Sequence, residues 1–145
     1  MKKTIALQGR GHIGKSTTLR RLYTDFLLKN GYKLIKYEDH GDVDFLAILE
    51  KDGELIGITS AGDNYDLLQK RVTILVEAGC TIIVCACRTR EGSVYAIEEF
   101  VEFQHEFVQK TIASSEEGYE NANEKDAKTL FKEVEKALED SKLAA

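Results

Sequence analysis

Residues 81–87 read Thr-Ile-Ile-Val-Cys-Ala-Cys, apolar at every position after the first and rich in β-branched side chains. A strand points successive side chains to opposite faces, so a run like this suits only a sheet covered on both sides. The neighbouring sequence supplies the cover. Apolar residues recur at helical intervals in residues 15–30, through Leu19, Leu22, Tyr23, Phe26 and Leu27, and helices are also expected at 64–79, 93–104 and 123–140. Strand-like runs fall at 2–8, 32–38, 43–50, 54–60 and 107–113. Gly31 and Gly79 stand where helices end, and Ser93 stands where one begins. Asp52-Gly53 between two apolar runs predicts a hairpin, which adds one antiparallel strand at the sheet edge. The alternation predicts an α/β domain spanning residues 1–145: a three-layer αβα sandwich with right-handed crossovers and a mostly parallel sheet. A terminal helix with the stripe Ala127, Leu130, Phe131, Val134, Ala137 and Leu138 docks on that sheet, with Asn123 and Asp126 in a capping arrangement at its start.

Composition narrows the partners. A formal net charge of -5 argues against a general binder of nucleic acid or anionic membrane, since phosphate backbones attract basic surfaces. The first eleven residues hold too few apolar positions for a secretory core, and no later run approaches a membrane span. Cys80, Cys85 and Cys87 lack paired CxxC spacing. They read as small buried hydrophobes in a reducing cytoplasm.

Ligands of parallel sheets gather at the carboxyl ends of the strands. That edge collects residues 9–16, 39–44, 59–63 and 88–90. Residues 9–16 read Gly9, Arg10, Gly11, His12, Ile13, Gly14, Lys15 and Ser16, between a strand and a helix. Glycines let a backbone wrap with its N–H groups turned inward, and the helix N-terminus adds further unpaired N–H groups. An ammonium group and a hydroxyl at its start suit a polyphosphate and its metal.

The segment matches G-x-x-x-x-G-K-[ST] at every defined position and so resembles the Walker A loop of the P-loop NTPase superfamily. The resemblance extends over the element order of the whole chain. It implies the P-loop sandwich, with Lys15 on the β- and γ-phosphates, Ser16 on Mg²⁺ and Thr17 on an α-phosphate. The variant loop of ParA-type ATPases matches poorly, because Arg10 stands where a second lysine belongs and His12 replaces a glycine.

The remaining site residues follow a looser pattern. The strand before Thr59 ends without the aspartate of a Walker B motif. Thr59-Ser60-Ala61-Gly62-Asp63 resembles the D-x-A-G-Q switch of small GTPases, with Thr59 at the metal-supporting position and Asp63 where a water-orienting glutamine would be. The loop after the second strand gathers Glu38, Asp39, Asp42 and Asp44, and Asp39 is preferred for metal or acceptor because it lies at the strand end. His40 and His105 read as structural. Arg88 and Arg90, after the central strand, resemble the lid arginines of P-loop kinases, with Gly92 as a hinge. The guanine-reading N/T-K-x-D signature is absent, because Asn123 to Asp126 has the wrong spacing. ATP with Mg²⁺ is therefore expected ahead of GTP. Residues 112–115 end the last strand, where a base-contacting loop commonly lies.

Three activities fit: hydrolysis of a nucleoside triphosphate, transfer of its γ-phosphate to a small-molecule acceptor, or a slow nucleotide-dependent switch acting on a protein partner. Lys15, Asp63, Arg88 and Arg90 are the candidate catalytic groups. Ser16, Thr59 and Asp39 are the candidate metal residues.

Overall fold

The computed structural model describes residues 2–11, 13–41, 44–61, 64–88 and 92–144. Six strands form one sheet: β1 (Lys3–Gln8), β2 (Lys33–Asp39), β3 (Phe45–Lys51), β4 (Glu54–Thr59), β5 (Ile82–Cys87) and β6 (Gln104–Gln109). Their order is β2-β3-β4-β5-β1-β6. β5 and β6 pair parallel to β1, and β4 pairs parallel to β5. Only β3 runs against its neighbours. The antiparallel strand therefore stands one place in from the edge that the hairpin reading gave it, with β2 outside. The turn from β2 into β3 is short and closed by His40 N–H donating to Asp44 O at 2.8 Å, so the chain folds straight back.

At the other turn of this meander, Asp52 (φ 53) and Gly53 (φ 84) are both left-handed, as a two-residue hairpin loop demands. Pairing along β2–β3 slips between Leu34 and Lys36, a bulge in the outermost strand.

Helix α1 starts at Lys15–Arg21 and continues with a wider π turn over Leu22–Leu27 and a 3₁₀ turn over Leu28–Asn30, stopping at left-handed Gly31. It shares one face of the sheet with α4 (Glu116–Ala144). The opposite face carries α2 (Tyr65–Glu77) and α3 (Gly92–Glu98). The Asn64 side chain caps α2 by accepting from Leu67 N–H at 2.9 Å. Alternation holds as the period-two rule requires: Ile5, Leu7, Val84 and Ala86 face α1 and α4, while Ala6, Ile83, Cys85 and Cys87 face α2 and α3.

Three boundaries differ from the sequence reading. α3 ends at Glu98, because Phe100 and Phe103 turn the chain into β6, which begins three residues earlier than expected. Ser93 lies inside α3, where its hydroxyl accepts from Arg88 N–H at 2.8 Å. α4 begins at Glu116, seven residues before Asn123, so Asn123 and Asp126 are inward-facing positions on the helix rather than its cap.

All three cysteines are free and buried. Burial pushes the thiols of Cys80 and Cys87 up to about 12, and Cys85 higher still, with little thiolate left at neutral pH. The folded protein should accordingly leave all three thiols unmodified by an aromatic disulfide reagent at pH 8, with colour developing only in denaturant. A thiol that reacts at once in the native chain would contradict this packing.

Candidate functional site

β1 and β5 end side by side, and Gly9 N–H donates to Cys87 O at 3.1 Å across the gap. The loop from Gly9 to Gly14 leaves that point and enters α1. Gly14 is left-handed at φ 92, a conformation that costs other residues strain. An added Cβ there would also stand 2.6 Å from Asn123 Oδ1. At Gly11 the Arg88 side chain closes in: a Cβ would fall 2.9–3.0 Å from its guanidinium atoms, so a larger residue there would displace the end of that flexible side chain. The loop is thus packed from two sides, by Arg88 from the end of β5 and by Asn123 from α4.

Lys15 is buried with 7% of its surface exposed. Its Nζ donates to Gly9 O and, at 2.9 Å, to Cys87 O. An ammonium is thereby held at the mouth of the two central strands. One residue on, Ser16 Oγ donates to Asp44 Oδ1 at 3.2 Å. The same carboxylate oxygen accepts from Ser60 Oγ at 3.0 Å, and Ser60 Oγ accepts from Phe45 N–H at 2.9 Å. Asp44 is therefore tied to the first turn of α1 and to the end of β4. Beside Ser60, Thr59 is fully buried, and its hydroxyl has no hydrogen-bond partner among the described residues. A buried unpaired hydroxyl is costly, and one at a strand end beside Ser60 calls for an explanation such as a water or an ion.

Asp39 lies elsewhere. Its carboxylate accepts from Tyr37 OH at 2.6 Å, and that phenol accepts from Arg20 at 3.0 Å in an aromatic group with Tyr23 and Phe45. Asp44, five residues past Asp39, is the carboxylate placed against Ser16. Thr59 is the last residue of β4. His12, Asp63 and Arg90 lie outside the described residues.

On the other flank of the loop, Arg10, Ile13, Gly14 and Thr17 line a cavity of about 300 Å³ together with Ile112, Ala113, Tyr119, Glu120 and Asn123. The β6–α4 connection forms its far wall. Asp126 fixes that wall: it pairs with Lys110 Nζ at 3.0 Å and accepts from Thr111 N–H and Thr111 Oγ1, each at 2.7 Å. Arg21 on α1 pairs with Glu120 on the rim. Asn123 and Asp126, which the sequence offers as a cap, and Lys110, which it offers as a strand residue, are all buried here; for the first two, their spacing ahead of Ala127 and Leu130 is the available signal.

No protein-family model matches this chain, and no curated protein does. Among solved structures it is similar to the G domain of the T. maritima FeoB iron transporter, at 13% identity and a TM-score of 0.27, over 75% of this chain and 88% of that one. A likeness of that size identifies neither fold nor function. Among the described residues no helix is long and apolar enough to cross a membrane.

The donor set gives the test of a metal–triphosphate ligand. No three His, Cys, Asp or Glu side chains cluster among the described residues, so nothing there resembles a thiolate or imidazole cage. One carboxylate and two hydroxyls instead suit Mg²⁺, which retains waters and shares its coordination with substrate phosphates.

Proposed function

We propose that this chain is a P-loop nucleoside triphosphatase domain that binds Mg²⁺ with ATP or GTP and acts on the γ-phosphate. The observation that supports it most is the convergence on one strand edge of buried Lys15, the Ser16–Asp44 pair and the unpartnered hydroxyl of Thr59. In this reading the loop N–H groups and Lys15 hold the phosphates. Ser16 and Asp44 hold Mg²⁺, with Thr59 as a neutral neighbour in place of a second carboxylate. Mg²⁺, when bound, neutralises charge on the β- and γ-phosphates. In this reading Arg88, whose guanidinium lies against Gly11, brings its charge to the same phosphates, and Arg90 is proposed for the same role from the sequence. Asp63 is proposed to orient the attacking water or acceptor. Because such chemistry is mainly positioning and electrostatics, one small domain can carry it.

Calorimetry with ATP and GTP, with Mg²⁺ and with chelator, tests the reading. Asp44→Ala should leave chelator-state affinity unchanged and weaken the Mg²⁺-dependent part by about tenfold. An Asp44→Ala protein that retains the full Mg²⁺ effect would remove Asp44 from the metal site. Phosphate release alone and with a panel of acceptors then separates the activities. Acceptor-independent turnover marks a hydrolase, acceptor-dependent loss of triphosphate marks a kinase, and tight binding without turnover marks a switch.

A further inference from the structure

β6 forms one border of the sheet, and it pairs with β1 in unbroken register from Gln104 opposite Lys3 to Gln109 opposite Gln8. Gln104 N–H donates to Lys2 O and, just past the strand, Lys110 N–H donates to Gln8 O. The even-numbered residues therefore direct their backbone groups toward β1. Because these groups alternate along a strand, the N–H and C=O of His105, Phe107 and Gln109 face outward, and no described residue bonds to them. Such a row is a template for a further strand. Its side chains suit a neutral neighbour. Glu106, the one acidic residue in the strand, is matched by Lys3 Nζ at 2.6 Å, and His105 Nδ1 lies 2.6 Å from the Thr4 hydroxyl. Phe107 and Val108 pack against opposite faces of the core and stay half-buried, so each keeps an open side at the border. Two further apolar side chains stand in water just outside the strand: Val101, 88% exposed, three residues before it, and Ile112, 60% exposed, three residues after it.

That symmetry of placement selects a second copy of the same strand, running antiparallel. A two-fold axis at Phe107 sets Phe107 opposite itself, His105 opposite the partner's Gln109 and Glu106 opposite the partner's Val108. Every outward N–H then meets an outward C=O, and no charge stands directly opposite its like. The same register carries the Val101 end of each chain to the Ile112 end of the other, so both exposed apolar residues gain a neighbour. A two-fold contact of this kind closes on itself and ends assembly at two copies. A charged peptide would find no counter-charge along this border.

We infer that this chain forms a two-fold dimer by antiparallel pairing of β6 with β6, continuing one sheet through both copies. The contact is independent of what the glycine loop binds.

Sedimentation equilibrium of the full chain, from micromolar to millimolar, should show a monomer–dimer equilibrium. As concentration rises, amide exchange should slow at His105, Phe107 and Gln109 and stay unchanged at Gln104, Glu106 and Val108, whose amides already bond to β1. Gln109→Pro deletes one outward donor per copy at an edge position that tolerates proline, and should raise the dimer dissociation constant about tenfold or more. Val101→Lys, at a position too exposed to matter to the fold, should raise it by a similar factor, about tenfold. Under an added thiol oxidant, His105→Cys mixed with Gln109→Cys should give a disulfide-linked pair that neither variant gives alone. Hydrogen-bonded antiparallel partners hold their Cα atoms about 5.5 Å apart, within disulfide reach. Should Gln109→Pro lose its far-UV spectrum, Val101→Lys and the exchange pattern decide. A chain that stays monomeric throughout overturns the inference. So does a dimer that neither substitution weakens, or one in which exchange at His105, Phe107 and Gln109 does not slow, since the contact then lies elsewhere. Cross-linking of either cysteine variant with itself in preference to the mixture overturns it as well.

Discussion

Asp126→Ala should destabilise the folded chain by about 3–5 kcal/mol, a large share of the stability of a domain this size. The side chains of Lys110 and Asp126 are 0% and 5% exposed, and their ion pair spans 3.0 Å. Removing the carboxylate strands a buried ammonium and also takes the acceptor from Thr111 N–H and Thr111 Oγ1. Urea denaturation measures the loss as a lower midpoint at an unchanged slope. Asp126→Asn should fall between the two proteins, because it keeps an acceptor and surrenders the charge. The double variant Asp126→Ala with Lys110→Met should regain the part of the loss that comes from the uncompensated charge, leaving the part owed to the Thr111 donors. A single-variant effect below about 1 kcal/mol, the scale of a solvated surface pair, would mean that the pair is not sealed from water.

Lys15→Ala should weaken Mg²⁺–triphosphate binding by about a hundredfold, the scale of a charge-assisted hydrogen bond lost from a site with little water. The ammonium is held by the ends of the two central strands, through Gly9 O and Cys87 O. Lys15→Arg should not restore binding, because a planar fork is larger than the volume that a single Nζ occupies between two carbonyls. Calorimetry gives the affinity. A parallel melt separates a lost ligand contact from the cost of leaving two carbonyls without their donor. Affinity within threefold of wild type in a folded Lys15→Ala protein would dismantle the phosphate site.

Much of this architecture was legible because its determinants are local. Continuous apolarity at 82–87 dictated a doubly covered strand, and the glycines at 31 and 79 marked helix ends by their left-handed backbone. The glycine loop that turns from β1 into α1 was legible for the same reason, since its glycines, lysine and serine adjoin in the chain. The carboxylate beside Ser16 was harder. Asp39 is preferred from the sequence for its position at a strand end, yet the hairpin register puts Asp44 against Ser16. Pairing runs outward from Lys51 with Glu54 to Leu46 with Thr59. One step further, Phe45 meets Ser60, which brings Asp44 to the same end of the sheet as Thr59. That inference needs only the Asp-Gly turn and counting, and it was within reach. The Asn123 contact with Gly14 was not, because it depends on how far α4 extends before the apolar stripe begins, and on its docking beside α1. The start of α4 at Glu116 is marked by two serines and two glutamates, a weak signal beside the stripe that follows.

The slip in the outer strand has a consequence for how copies of this chain behave in crowded solution. An unprotected strand border is a template for another chain, and stacking along it is how fibrils start. Here the row of outward amides in β2 is broken between Leu34 and Lys36, and exposed lysines at 33 and 36 flank the break. A second molecule trying to extend the sheet would meet a kinked backbone and two ammonium groups at once. Sheet extension from the β2 border of the native protein should therefore be disfavoured, with that border acting as its own safeguard.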